Sequence, residues 1–485
     1  MENVLKRARK NIVLKLTAEG LIRFLSVLFV VFVARGLGDA DYGRYSLAYF
    51  FAALLTLFSD WGLNTVLIRD VSRRRDLLPS YGGNVLSLKM LLSGASLVAA
   101  GPLLGLMGYD PKLIGMILVS MFYLQFNHIL DFFVALTNSV EKMEVELLIK
   151  GLYKTLTVCL PLLFLYWGGG LWGVLLGLVL GYLLSLIFSW AVIRAKITSL
   201  IPLGDTRLWR RLFRSAWPIG LSGLFMTVYA RIDMVLLSLF RVPPEEIGWY
   251  AVPVKIIEMC SLFPLLVMAG LFPIFSVLNA EDRQLLGKSY EKTLILLAVL
   301  SVPVLLFLFV LSEDWLTVFF GRSFSPSIPA LKILAFSLPL VFLNYVLFHT
   351  LIALNREKII TGVSALAVVF NIGSNCLVLP RYGYLGASGT TVATDCLILV
   401  LFLVHLQRSF WPLPWGKTAA KLILSGGMMA LPFWLLKNGP AWLMWLTALA
   451  SYGGCLFLSR LIGREDWILF KKMIGLVPAS VDVRK

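Results

Sequence analysis

The stretch LWGVLLGLVLGYLLSLIFSWAVI, residues 171–193, contains no Asp, Glu, Lys or Arg. About 20 apolar residues suffice for a helix to cross the hydrocarbon layer of a bilayer. A backbone in lipid must satisfy its amides within its own segment or in a closed barrel. Barrel strands alternate apolar and polar positions; this run does not, so it reads as a membrane helix. Thirteen further runs resemble it, centred on 12–34, 44–67, 83–107, 113–137, 147–167, 216–240, 249–274, 292–311, 330–354, 359–379, 386–407, 418–436 and 441–461. The expected fold is all-α and polytopic, with about 14 transmembrane helices.

Composition agrees. Hydrophobic residues make up 59% of the 485-residue chain and charged residues 15%, against about 25% charged in a soluble domain. The formal charge of +17 raises the possibility of a nucleic-acid partner. The basic residues instead gather in short stretches between apolar runs, so nucleic acid is not an expected partner. With the N-terminus inside, the segments expected on the cytoplasmic side carry 30 Lys and Arg, the opposite side 7 and the spans 7, which together make the 44 present. That bias predicts cytoplasmic N- and C-termini in a cell inner membrane. The basic start lacks an apolar core with a small-residue cleavage site, so the first span is expected to be retained. Cys159, Cys260, Cys376, Cys396 and Cys455 fall in apolar runs without metal-ligand spacing, and read as buried, inert thiols.

The chain also repeats itself. Asp41-Tyr42-Gly43-Arg44-Tyr45 returns as Glu246-Ile247-Gly248-Trp249-Tyr250. Asn127 and Asn138, eleven apart, return as Asn344 and Asn355, and Gly170-Leu171-Trp172-Gly173 returns as Gly383-Tyr384-Leu385-Gly386. A unit of six spans keeps both copies in one orientation, which defines a parallel repeat. The expected organisation is two pseudo-symmetric six-helix lobes, 1–205 and 206–410, with a further helix pair and cytoplasmic tail in 411–485. The basic and apolar residues of 207–214 read as an amphipathic linker on the anionic leaflet.

Ionisable side chains inside spans cost about 2.5–3.5 kcal/mol each at a helix centre, and they ordinarily face protein or a wet cavity. Seven are basic: Lys15, Arg23, Lys89, Lys154, Arg231, Lys255 and Lys332. Six are acidic: Glu19, Asp60, Asp131, Asp233, Glu258 and Asp395. Lys15, Glu19 and Arg23 are spaced by four and share one helix face. They form either a cavity face for an anionic headgroup or a structural ion triplet with Lys15 snorkelling to the interface. Lys255 and Glu258 share a face, whereas Arg231 and Asp233, two apart, need separate partners. Arg231 is a candidate diphosphate contact, since its planar fork suits phosphate oxygens; the alternative is an interhelical salt bridge to Asp60 or Asp131. His128 and Asp131 read as a proton relay or as a hydrogen-bonded packing pair.

One block of sequence resembles a family signature: Val33-Ala34-Arg35-Gly36-Leu37-Gly38, then Asp41 to Leu47, Ser59-Asp60-Trp61-Gly62-Leu63 and Ile68-Arg69-Asp70. It is similar to the Wzx-type oligosaccharide flippases within the multidrug/oligosaccharidyl-lipid/polysaccharide exporter superfamily. Arg231-Ile232-Asp233, Gly383 to Ala387 and Ala393-Thr394-Asp395 fit the same pattern, with Asp395 where Glu is commoner. The resemblance implies a flippase moving a polyprenyl-diphosphate-linked oligosaccharide from the cytoplasmic to the periplasmic leaflet. It further implies a polar cavity between lobes, cavity cations (Lys15, Arg23, Arg231, Lys255) receiving the diphosphate, and a coupling proton or sodium ion handled by the acids and His128. No other cofactor is implied. Membrane lipids, a polysaccharide polymerase and chain-length proteins are the implied neighbours.

Two other readings belong to the same superfamily, a drug or cation exporter and a lipid II flippase. Two cations in the first span weigh against a cationic substrate. An enzyme is not expected: the longest loops, around 194–215 and 312–329, carry no metal cluster, and no GxxxxGK[ST] phosphate loop occurs.

Overall fold

The computed structural model describes residues 2–412, 415–436 and 440–459, without the side chains of 2–19, 21, 219, 222, 226, 229–231, 415, 417, 441 and 442. The described residues are helical nearly throughout. They form two compact units, one of residues 1–251 with 317–324, the other of 252–316 with 325–485.

In the first unit α1 (Glu2–Leu55) runs 54 residues and breaks at Gly38, whose φ of 75° and ψ of 177° leave the helical region. There follow α2 (Leu63–Arg73), α3 (Leu78–Leu106), α4 (Pro111–Ser139), α5 (Met143–Tyr166), α6 (Gly170–Lys196), α7 (Thr206–Leu239) and the start of α8 (Pro244–Cys260). Their core is built on α4, where Phe132, Phe133 and Leu136 are fully buried against Val66 and Leu67 of α2, Val85 of α3 and Ile149 of α5. The 207–214 segment differs from the expected surface linker. The Asp205 side chain accepts from the backbone amides of Arg207 and Leu208, starting α7 there. The apolar face of this segment is then buried in the same core through Leu212 and Ala216.

α5 and α6 approach closely because α6 carries a small residue every fourth position: Gly173, Gly177, Gly181, Ser185 and Ser189, all buried. A Cβ on Gly177 would stand 2.5 Å from Pro161 Cα, and one on Gly181 3.0 Å from the Leu156 carbonyl oxygen. Backbone approach of this kind is how helices associate where lipid supplies no hydrophobic drive.

The second unit comprises the rest of α8, α9 (Leu262–Glu281), α10 (Arg283–Val310), α11 (Ser312–Trp315), α12 (Ser327–Ala335), α13 (Ser337–Ala353), α14 (Glu357–Ser409), α15 (Trp415–Leu435) and α16 (Ala441–Leu458). α14 bends at Gly383, with φ 49° and ψ −136°. Its counterpart in the sequence repeat, Gly170, also has positive φ, 53°. α10, α15 and α16 share a core of Val299, Met429, Ala448 and Tyr452, and the Tyr452 hydroxyl donates to the Val299 carbonyl at 2.7 Å.

Among the described residues eight helices are long and apolar enough to cross a membrane, or nine if the bent pair α12 and α13 is one span. This is an all-α polytopic membrane fold; these eight or nine helices among the described residues stand beside the fourteen spans expected for the whole chain. The difference has identifiable sources. The expected spans 359–379 and 386–407 are two helices that meet at Gly383 within the continuous element α14, which enters the count once. The first part of the expected span 12–34, residues 12–19 and 21, lies where side chains are not described. The cysteines also differ from expectation: Cys159, Cys376 and Cys396 are exposed. On a membrane helix an outward face meets acyl chains, so an apolar thiol gains nothing by turning inward.

Candidate functional site

The first unit gathers its intramembrane charges around α4. Lys89 of α3, 1% exposed, donates to the Asp60 carboxylate and, at 3.2 Å, to the His128 carbonyl oxygen. Asp60 sits just past the first turn after α1, its side chain 32% exposed, so one member of the pair is dry and the other borders open space. Next along α4, Asn127 Nδ2 donates to Asp131 Oδ2 at 3.1 Å. Asp131 is exposed although it lies inside a bundle helix, within electrostatic reach of Lys89, Asp60 and Lys150. Lys150 of α5 pairs at 2.8 Å with buried Glu146, one turn earlier. Further polar bonds lock α3 to α4: Ser93 donates to Gln125 at 2.7 Å, and Gln125 donates to Ser96 at 2.8 Å.

Depth follows from helix position. Asp131 lies eight residues before the end of α4 and Lys150 seven after the start of α5, at the same end of the bundle. At 1.5 Å per residue both stand about 10–12 Å in from that end.

Tyrosines occupy the next level. Tyr123 is twelve residues into α4 and Tyr182 twelve into α6, each about 18 Å from the opposite end. Their rings stack at 5.7 Å and 8°. Tyr153 of α5 continues the row, 6.3 Å and 19° from Tyr182. Tyr45 and Tyr49 of α1 form a second near-parallel pair at 6.5 Å and 22°, within electrostatic reach of Tyr182, as is Asp131. Tyr123 is buried, whereas Tyr45, Tyr49, Tyr153 and Tyr182 are half-buried.

The remaining candidates are distributed as follows. Lys15, Glu19 and Arg23 lie on one uninterrupted stretch of α1; Arg23 is half-buried, and the side chains of Lys15 and Glu19 fall outside the described residues. The Arg231 side chain does too. Asp233 is buried and accepts from the Tyr250 hydroxyl at 2.9 Å. In the second unit Lys255 pairs with Glu258 at 2.6 Å, and Lys332 lies 5.6 Å from the centre of the Phe309 ring. Asp395 is buried there; its carboxylate accepts from Ser337 and its backbone carbonyl from Asn344 at 3.1 Å. Beside it Asn375 donates to Asn371 at 3.1 Å, and Asn371 to Thr394 at 3.4 Å. Sequence reading passed over Glu146, Lys150 and the tyrosine row. The spacing Glu146, Lys150, Lys154 repeats the rhythm of Lys15, Glu19 and Arg23 and was an available signal; the tyrosines come from four separate helices and offered none.

The signature block surrounds the break in α1. Arg35 donates to the Val318 carbonyl at 2.9 Å, and Trp249 donates to Asp39 at 2.9 Å and to the Ser323 carbonyl at 3.2 Å. Gly43 and Gly248, matched in the repeat, abut: a Cβ on Gly43 would lie 2.9 Å from Gly248 N, and one on Gly248 3.3 Å from Gly43 N. The family model described as "Polysaccharide biosynthesis protein" matches residues 8–279, which holds this block and the charged and aromatic interior. The chain belongs to that family. A second model, MatE, matches residues 218–377. A Shigella flexneri protein described as "Putative O-antigen transporter" is 22% identical over 414 residues, 80% of this chain and 96% of the relative. A Haloferax volcanii protein, "Probable flippase AglR", is 24% identical over 434 residues, covering 86% of this chain and 87% of its own. Among solved structures the lipid II flippase MurJ in an inward closed conformation superposes with a TM-score of 0.73 at 15% identity, over 92% of this chain and 99% of MurJ. This member of the polysaccharide biosynthesis family therefore shares the fold of the flippases and multidrug transporters of its superfamily.

Proposed function

We propose that this protein is a flippase that carries polyprenyl-diphosphate-linked oligosaccharide, the repeat unit of an O-antigen, capsule or exopolysaccharide, from the cytoplasmic to the outer leaflet. The observation that supports the reading most is charge kept inside the helical bundle of a family member: Lys89 pairs with Asp60, Asp131 lies within electrostatic reach of both, and the Lys150–Glu146 pair follows toward the helix end. Retaining so many costly groups suits a hydrated path better than a bundle that only holds itself together. In this reading fourteen spans form two six-helix lobes, 1–205 and 206–410, with an added pair in 411–485 and both termini in the cytoplasm. The lobes alternate access to the two leaflets.

Within the proposal, Lys15, Arg23, Arg231 and Lys255 receive the diphosphate. Glu19, Asp60, His128, Asp131, Asp233 and Glu258 serve ion coupling, with the protein in the inner membrane beside a polymerase and chain-length proteins. The test is reconstitution in vesicles with lipid-linked oligosaccharide on one leaflet and appearance on the other as the readout. Arg23→Ala with Arg231→Ala is expected to slow translocation at least about tenfold in a protein that melts normally, equivalent to about 1.4 kcal/mol in the rate-limiting step. Unchanged translocation refutes the role of these cations. Transport of an organic cation, without transport of the lipid-linked glycan, refutes the flippase reading itself.

A further inference from the structure

We infer that the tyrosine row of the first unit is a saccharide subsite, which holds sugar rings of the translocated glycan separately from its diphosphate. The inference rests on the flippase reading and assigns the glycan, as distinct from the headgroup, a place to bind. Its basis is a juxtaposition of three features in a chain whose composition does not require it.

The first feature is a row of flat faces. Tyr123, Tyr182 and Tyr153 lie nearly parallel, 8° and 19° apart in successive pairs, and Tyr45 and Tyr49 lie 22° apart. The rings engage one another within the row, so a sugar would meet its outer face and hydroxyl rims; four of the five rings are half-buried. The face of an aromatic ring is its negative side, and the axial C–H face of a pyranose presents weakly positive hydrogens. The two surfaces match in size and sign.

The second feature is the polar group beside the rings. Asp131 is exposed, lies within electrostatic reach of Tyr182 and accepts from Asn127. A carboxylate paired with an amide offers acceptors and a donor to vicinal hydroxyls, the usual polar complement to ring stacking. Tyrosine, unlike phenylalanine, adds a hydroxyl at the rim of each face.

The third feature is charge. Asp60 is neutralised by Lys89 and Glu146 by Lys150. Aromatic faces attract organic cations as well as sugars; here two of the three carboxylates are already matched by lysines, which removes much of the negative charge that would add to that attraction. The tyrosines stand at the level above the Asp131 and Lys150 charges. The register is set by the fold: the Gly177 and Gly181 approach to α5 brings Tyr182 opposite Tyr153.

The experiment measures binding of two probes to the purified full chain in detergent. One is undecaprenyl diphosphate without sugar; the other is the lipid-linked oligosaccharide pool extracted from membranes of the source cell. Tyr153→Leu with Tyr182→Leu is expected to weaken the glycosylated probe about tenfold, about threefold per ring lost, and to leave the bare diphosphate within about twofold of wild type. Tyr153→Phe with Tyr182→Phe, which keeps the rings and controls for folding, is expected to retain most of the binding. Equal losses for both probes, or no loss for either, overturn the subsite while leaving the flippase reading standing. A wild-type chain that binds neither probe overturns both.

Discussion

Gly43→Ala is the substitution whose consequence can be worked most directly from the structure. The new methyl would overlap the Pro244 carbonyl oxygen and stand 2.8 Å from its carbonyl carbon and 2.9 Å from Gly248 N, where ordinary contact begins at 3.4 Å. All these neighbours are backbone, so no side chain can swing aside. Clearing the overlap with the Pro244 oxygen takes more than about 1 Å of separation, and a gap of 0.5–1 Å already forfeits about a quarter to a half of each dispersion contact across it. The residues sharing this contact are closely packed: Tyr42, Ile247, Tyr250 and Phe324 are each at most 2% exposed. Overpacking of this kind costs about 1–3 kcal/mol, and backbone-limited cases lie at the upper end. We expect Gly43→Ala to destabilise the purified protein by about 3 kcal/mol, measured by titrating mixed micelles with a denaturing detergent. Gly248→Ala acts on the same gap, since its methyl would overlap the Asp39 carbonyl oxygen and stand 3.2 Å from the carbonyl carbon. The double variant should therefore cost less than the sum by about 1–2 kcal/mol, because the first methyl has already opened the space. Single variants within about 0.5 kcal/mol of wild type, or strictly additive ones, would refute the reasoning.

Two more expectations rest on other contacts. Lys89→Met removes the dry partner of a pair whose carboxylate stays near it, at 1% and 32% exposure. It should cost about 3 kcal/mol, and pairing it with Asp60→Asn should recover at least about 1 kcal/mol in a double-mutant cycle; an additive cycle would mean that the pair contributes nothing specific. Gly177→Leu drives a large side chain into Pro161 on α5; we expect it to cost about 3 kcal/mol in the same detergent titration, and a variant within about 0.5 kcal/mol of wild type would show that α5 and α6 do not depend on the small-residue face.

The helical membrane class was legible because it depends only on local hydropathy: residues 171–193 became α6 almost unaltered. Span number was less so. A glycine with positive φ can turn the chain while its neighbours stay helical, and Gly383 joins two expected spans into α14 in this way. The site shows the same division. Glu146 and Lys150 were recoverable from four-residue spacing on one helix, which is a local property. Lys89 carried no reading, since the face that α3 turns toward Asp60 is decided by tertiary packing. The tyrosine row was beyond reach for a stronger reason. Tyr45, Tyr123, Tyr153 and Tyr182 come from four helices, and their alignment depends on the register with which Gly173, Gly177 and Gly181 seat α6 on α5.

The Asp41–Tyr45 motif and its counterpart Glu246–Tyr250 in the sequence repeat meet at this gap. Two copies of a motif related by a two-fold operation meet reciprocally: if position i touches position j, then j touches i. A residue can touch its own counterpart only beside the axis. Gly43 meets Pro244 and Gly248, while Gly248 meets Asp39 and Gly43, so the contact is reciprocal around a matched pair. Each glycine has the same physical cause, the closeness of the other. This accounts for why glycine, of the five residues in each motif, stands at the position where the other copy leaves no room for a Cβ, and why the flanking Tyr42 and Ile247 can differ while both remain buried.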